Sequence, residues 1–348
     1  MATYMRNVFL VSSGVSSRSL HRLMGKRTFK ELQYRVMCTL GTEEPRKLDI
    51  PQFNDPQVQA ILKRITGLDL EKVFRPAREK HGRSSYKLVS EKKLKELQIE
   101  AQEKAKVRLE MPPVVAERKP IHKIFARNPE LRGLDSSKLV FTDISFGLRD
   151  RDRLIVVRDP DGTLRMANWE ERDRITQVYK PRPRRQIEVP KLFEEGQLPV
   201  LFSEERHEMV LDAACTQFEP DAADFIRVHH RVYEDLDQTT KYDLLRSTRH
   251  FGGMAYYLAK QRRIDGLLVD IIQRYLITDA EDLITLYHMM HPQCKSAQET
   301  KEKQLKGLEL IKMYIQCDSS QTGKLELVLQ SYENEQADST TDEATSMS

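Results

Sequence analysis

No hydrophobic run in the sequence approaches the ~20 residues that a bilayer-spanning helix needs, so no membrane span is expected. Cysteine is nearly missing. Cys38, Cys215, Cys294 and Cys317 stand far apart with no CxxC spacing, which argues against a disulfide framework or a zinc knuckle. Glycines are scattered singly apart from Gly252-Gly253, so there is no phosphate-binding loop and no dinucleotide fingerprint. A nucleophile elbow and a zincin helix are absent as well. The sequence therefore predicts no catalytic site, no cofactor and no metal.

Acidic residues are missing from the first thirty positions, where Arg6, Arg18, Arg22, Lys26, Arg27 and Lys30 alternate with serines. Arg18, Arg22 and Lys26 recur every four residues and share one helix face, with Leu20, Leu23 and Met24 largely off it. This is the basic amphipathic form of a mitochondrial import signal. Residues 1–47 are read as transit peptide and linker. They hold nine Lys/Arg against three acids, so the net +4 of the whole chain becomes about −2 without them. The remainder is polarised: residues 48–190 carry 31 basic and 22 acidic side chains, and residues 191–348 carry 17 and 28. The first half can face nucleic acid and the second cannot.

What is present is mostly helical periodicity. The 348 residues, 39% hydrophobic and 32% charged, suit a globular protein with a charged helical surface and more than one lobe. Val58, Ile61, Leu62 and Ile65 form one stripe ended by Gly67, and Ser90 is an N-cap for a helix to about Glu110. That longer helix has a narrow apolar face (Leu94, Leu97, Ala101, Ala105, Leu109), so it should lie on something rather than inside it. The stretch from Met111 to Lys138 reads as an irregular connection. Val140, Thr142, Ile144 and Phe146 alternate as a strand does, Leu154–Val157 is an apolar run rich in β-branched residues, and Asp159-Pro160-Asp161-Gly162 is a hairpin turn. Asn168 with Glu171 is a capping-box start for the helix that closes this meander.

Beyond 200, apolar stripes follow one another with short connections, which favours antiparallel neighbours. The fold class expected is mainly α: an antiparallel helical array in the C-terminal half, a small β-meander or hairpin, and an extended helical N-terminal segment. The divisions are 48–138 (N-terminal helical extension), 139–200 (hairpin, helix and basic link), 201–330 (helical array) and 331–348 (disordered acidic tail).

Three local features invite a functional reading. Lys180, Arg182, Arg184 and Arg185 interleave with Pro181 and Pro183; an extended, proline-stiffened segment would let these cations follow successive phosphates, and a solvated linker is the plainer alternative. Ile264, Leu267, Leu268, Ile271 and Tyr275 belong to the widest apolar stripe in the chain, which is either core or a groove for partner helices. His288, His291 and Cys294 are the nearest approach to a metal constellation, but Pro292 breaks the helix and no further ligand is nearby. His229 and His230 point in different directions, and His229 reads as a hydrogen-bonded core histidine.

Several long stretches carry a resemblance: KVRLEMPPV at Lys106–Val114, VFTDIS at Val140–Ser145, IVVRDPDGTLR at Ile155–Arg165, WEERDR at Trp169–Arg174, QFEPD at Gln217–Asp221, KYDLLRSTRHFGGM at Lys241–Met254 and IDGLL at Ile264–Leu268. Over roughly Asp55 to Leu329 the chain resembles the mitochondrial small-subunit ribosomal proteins numbered twenty-two. The resemblance implies a structural component of the mitochondrial ribosome in the matrix, on the lower body of the small subunit. Its partners would be small-subunit ribosomal proteins and rRNA, with no catalytic or cofactor residues. On this reading the basic half contacts rRNA and the acidic half binds basic neighbours. Two rival classes are a free mitochondrial helical-repeat RNA-binding adaptor and a matrix enzyme using His288, His291 and Cys294.

Overall fold

The computed structural model describes residues 51–75, 86–133 and 136–346. The expected transit peptide and linker over 1–47 lie outside them. In chain order the helices are α1 (Pro56–Thr66), α2 (Leu70–Val73), α3 (Glu91–Arg108), α4 (Trp169–Tyr179), α5 (Leu198–Ser203), α6 (His207–Gln217), α7 (Ala223–Thr239), α8 (Phe251–Lys260), α9 (Asp265–Gln273), α10 (Ile277–Met290), α11 (Lys295–Lys303), α12 (Leu308–Cys317) and α13 (Thr322–Ser346). The strands are β1 (Ile124–Arg127), β2 (Leu139–Thr142), β3 (Ile155–Arg158) and β4 (Thr163–Met166). The protein is mainly α, as its periodicity predicts. No helix among the described residues is long and apolar enough to cross a membrane.

The array is built around α8, in which every residue from Phe251 to Ala259 is buried. A helix buried on all sides needs cover on all sides. α7 and α10 supply part of it, and α1 supplies another, with Val58, Ile61, Leu62 and Ile65 all buried. Proline at the first helical position suits α1, because its fixed φ and missing N–H cost nothing there. Gly67 at φ 73° ends it. Arg64 then clamps α1 to α10 by donating Nε and Nη2 to the two carboxylate oxygens of Asp282 at 2.7 and 2.6 Å. So α1, read from sequence as part of an N-terminal extension, lies in the core of the C-terminal array.

Small residues permit this approach. A Cβ on Gly252 would sit 2.1 Å from Met111 Sδ, and one on Gly253 would sit 2.9 Å from the Tyr233 hydroxyl. At the start of α9, a Cβ on Gly266 would meet the Tyr242 hydroxyl at 2.3 Å. That hydroxyl is held by the Asp237 carboxylate, to which it donates at 2.6 Å. Next to Gly266, the buried Asp265 accepts from the Tyr314 hydroxyl at 2.6 Å, the Ser320 N–H at 2.7 Å, the Ser320 hydroxyl at 2.6 Å, the Ser319 hydroxyl at 3.2 Å and the Gln321 N–H at 3.2 Å. One carboxylate thereby fixes α12 and the start of α13, whose positive end it also faces. Burial, then the Asp265 bond, push the Tyr314 phenol well above the usual tyrosine range.

Residues 331–348 are expected from sequence to be without order, yet α13 carries helical backbone as far as Ser346. Leu325 and Leu329 are buried and anchor its first turns. Propagation adds one hydrogen bond per residue fixed, so a nucleated helix extends through polar sequence that could not start one.

The sheet is antiparallel with order β1-β4-β3-β2. β2, β3 and β4 are the expected meander, with Val140 opposite Val157 and Val157 opposite Arg165. The turn closes through the Gly162 N–H to the Asp159 carbonyl at 3.0 Å, with Gly162 at φ 84°. Ile144 and Phe146 lie past the end of β2 and are exposed. β1 occupies a stretch that reads as irregular; four residues with no buried member have no apolar alternation to see. The capping box of α4 is present in both directions, Asn168 with Glu171. Ile175 packs α4 on Ile155, Val157 and Ala167.

Glu171 also receives two bonds from Arg165, at 2.8 and 2.8 Å, while Arg165 Nε donates to Asp159 at 2.7 Å. This knot joins hairpin turn, strand and helix cap. Arg165, then the Asn168 N–H, hold the Glu171 carboxyl down at about 2 against desolvation, which acts the other way. A depressed folded-state pKa contributes stability that is present above the ordinary carboxylate value and lost as pH falls through the folded one. Glu171→Gln should therefore lower the melting temperature at pH 7, and the gap to wild type should shrink between pH 4.5 and about 2. A gap independent of pH would separate the carboxylate from sheet stability.

Gly266→Ala should cost ~1–3 kcal/mol, because the Tyr242 hydroxyl it meets is fixed. Gly323 lies in α13 with open space at its Cβ position, so Gly323→Ala should stabilise by up to ~1 kcal/mol. Urea-denaturation midpoints at constant slope read both.

Candidate nucleic-acid interface

The link after α4 is a turn rather than an extended rod. Lys180 caps α4, the Arg185 N–H reaches the Arg182 carbonyl at 3.3 Å, and Arg184 adopts φ 68°. Side-chain amides hold it in that shape. Gln177 accepts from the Arg182 N–H at 3.2 Å and donates to the Arg185 carbonyl at 2.9 Å. Gln217, on α6, accepts from the Gln186 N–H at 3.0 Å and donates to its carbonyl at 2.9 Å. Two amides thus tie the link to the helix before it and to the array after it.

Carboxylates meet three of its four cations. Lys180 Nζ lies 2.5 Å from Asp150 Oδ1. Lys180, then Arg153, hold the Asp150 carboxyl below the usual range. Arg182 and Arg185 share Glu219 Oε1, at 2.6 and 2.9 Å. The Arg185 side chain is only 9% exposed, whereas those of Lys180 and Arg182 are 53% and 55% exposed. Arg184 is exposed and makes no ion pair among the described residues. Proline spacing predicts cations free to follow phosphates; the acids that engage them lie about thirty residues away in either direction, where spacing says nothing.

A second group of cations lies where no strand is expected from sequence. Lys119, Lys123 and Arg127 are exposed on and beside the edge strand β1 and form no ion pair with described residues. Lys123 rests against the Phe125 ring, 5.0 Å from its centroid. Charged residues on an edge strand also discourage sheet-to-sheet pairing, so the pattern has a folding role as well.

The apolar candidates separate cleanly. Ile264, Leu267, Leu268 and Ile271 are fully buried core, whereas Tyr275 is 53% exposed after α9 at φ 63°, with its ring 5.9 Å from that of Tyr332 on α13 and its hydroxyl bonded to Glu335. His288, His291 and Cys294 engage other groups: His288 Nε2 meets the Ser296 hydroxyl at 2.8 Å, Cys294 meets the same hydroxyl at 3.5 Å, and His291 Nε2 meets the Ala259 carbonyl at 2.9 Å. His229 is indeed a buried, hydrogen-bonded histidine, its Nδ1 on the Phe225 carbonyl at 2.8 Å. Nothing in the local sequence points to its neighbours, Cys215 and His250, which come from other elements.

Known proteins resemble this chain over most of its length. The family model for the mitochondrial 28S ribosomal protein S22 matches residues 51–292, from just before α1 to just past α10. The small ribosomal subunit protein mS22 of Bos taurus is 48% identical over 299 residues, covering 86% of this chain and 83% of the relative. That of Mus musculus is 50% identical over 293 residues, covering 84% and 81%. A match spanning the core helix α8, its cover α1 and the whole sheet leaves one conclusion: the chain belongs to the mitochondrial 28S ribosomal protein S22 family.

Proposed function

We propose that the protein is a non-catalytic structural constituent of the mitochondrial small ribosomal subunit, working in the matrix, where it bridges neighbouring ribosomal proteins and contacts small-subunit rRNA. Family membership over residues 51–292 carries the reading. The exposed surface agrees with it in two ways.

Protein contact falls to α3 and to the outer end of the meander. α3 has eighteen residues and buries only Ala105, leaving Leu94, Leu97 and Ile99 exposed between ion pairs such as Lys95–Glu91 and Lys104–Glu100. Most helical stability comes from packing of an apolar face, so a helix this bare wants a neighbour. Phe141, Ile144, Phe146 and Tyr179 are likewise exposed. The acidic C-terminal half suits basic neighbours.

RNA contact falls to the basic half, led by Arg184 in the link and by Lys119, Lys123 and Arg127 at the β1 edge. Lys180 and Arg182 are exposed enough to exchange a carboxylate for a phosphate. Arg185, nearly buried on Glu219, acts in the fold. A mature charge near −2 is low for a protein that coats phosphate, so protein contacts should dominate.

Sedimentation of mitochondrial extracts tests the reading. Co-migration with the small subunit after a high-salt wash is expected; RNase-sensitive particles lacking rRNA would favour the free adaptor, and a soluble pool would reject both. Changing Lys119, Lys123, Arg127 and Arg184 together to Gln should weaken RNA binding. The slope of log K against log salt should flatten by ~0.7–0.9 for each phosphate that is no longer neutralised. An unchanged slope would remove these residues from the RNA interface.

A further inference from the structure

Three side chains from separate elements meet inside the array: Cys215 near the end of α6, His229 in the middle of α7, and His250 just before α8. One ligand atom from each lies within 4.8 Å of the other two. Cys215 is half-buried and both histidines are buried. The hydrogen bonds around them fix both tautomers. His229 Nδ1 faces the Phe225 carbonyl at 2.8 Å, and a carbonyl only accepts, so Nδ1 carries the proton. Nε2 is then a lone pair, 4.0 Å from Cys215 Sγ. His250 Nε2 faces the Asp212 carboxylate at 2.9 Å; the Arg249 Nε–H lies farther from that nitrogen, at 3.4 Å, and donates to Asp212 at 2.9 Å, so the shorter contact assigns the proton to His250 Nε2. The lone pair of His250 therefore sits on Nδ1, which is buried and has no hydrogen-bond partner.

A thiol and two imidazoles thus meet, and one imidazole nitrogen, His250 Nδ1, is buried without a hydrogen-bond partner. A buried acceptor without a partner is costly, and an ion bound there removes the penalty. We propose that Cys215, His229 and His250 form a binding site for a zinc ion. The proposal does not depend on the ribosomal reading.

The surroundings match what such a site needs. A zinc-ligating histidine commonly donates its outer N–H to a carboxylate or a backbone carbonyl, and here Asp212 and the Phe225 carbonyl take those two positions. Tetrahedral zinc, with bonds of ~2.0–2.3 Å, draws its ligand atoms to roughly 3.5 Å from one another, so closure asks for about 1 Å or less of side-chain movement. Cys215 and Asp212 line a cleft of about 700 Å³, which opens the thiol side of the group to an entering ion. Arg249 stands against the site as a nearby positive charge, but its guanidinium is paired with Asp212 at 2.6 Å. On binding, the thiol gives its proton to solvent and its sulfur pair to the metal.

The test uses the full chain, stripped with a chelator and dialysed against zinc sulfate, with bound metal counted by mass spectrometry. One zinc per chain is expected for wild type and for the Cys294→Ala and Cys317→Ala variants. Cys215→Ala should lower the affinity roughly a hundredfold or more. Asp212→Asn, a change at a half-exposed carboxylate, should lower it about 10- to 100-fold while keeping one zinc at saturation. Cobalt in place of zinc should give a thiolate-to-metal charge-transfer band that Cys215→Ala abolishes. Circular dichroism of each variant shows that it folds, and a zinc-dependent rise in wild-type melting temperature reads the same site without any variant. Substoichiometric zinc in wild type, full zinc in Cys215→Ala, or loss of zinc in Cys294→Ala would each overturn the assignment.

Discussion

The rest of the protein is arranged around a helix with no side left for solvent. α8 is buried from Phe251 to Ala259, and two adjacent glycines, Gly252 and Gly253, allow Met111 and Tyr233 to press against its backbone. Such a helix cannot be stable until each of its faces is covered. One of those faces is covered by α1, from the far end of the chain. Burying its four stripe residues is worth ~6–12 kcal/mol before chain entropy is subtracted, comparable with the whole net stability of an ordinary domain. The hydrogen-bonded Asp265 plays the matching part at the C-terminal end, where it draws α12 and α13 onto α9.

Charge is the second organising theme, and much of it is neutralised internally. Asp150 and Glu219 take up Lys180, Arg182 and Arg185, while Asp159 and Glu171 take up Arg165. What remains outward-facing on the basic half is thinner than a count of residues suggests. Part of it lies at Arg184, in a left-handed turn, and along the edge strand β1.

The legible parts of the fold are those with a local cause. The stripe of α1, the caps at Ser90 and Asn168, the Asp159–Gly162 turn and the stripe around Leu267 depend on residues within a few positions of each other, and each can be read. β1 cannot, because a strand with no buried residue is defined by its partner β4 and not by alternation. Nor can the placement of α1, which depends on complementarity with α8 and α10. The site residues divide in the same way. Ile264 to Ile271 have a stripe to betray them, whereas the acids that bind the link cations, and the meeting of Cys215 with His229 and His250, depend on the finished packing.

The clamp between Arg64 and Asp282 joins positions 218 residues apart. Closing a loop of that length must precede any return from the contacts it makes, which places this step late in folding and makes it slow. The first of the described helices is thus among the last to find its seat, and until it does the central helix has an uncovered apolar flank.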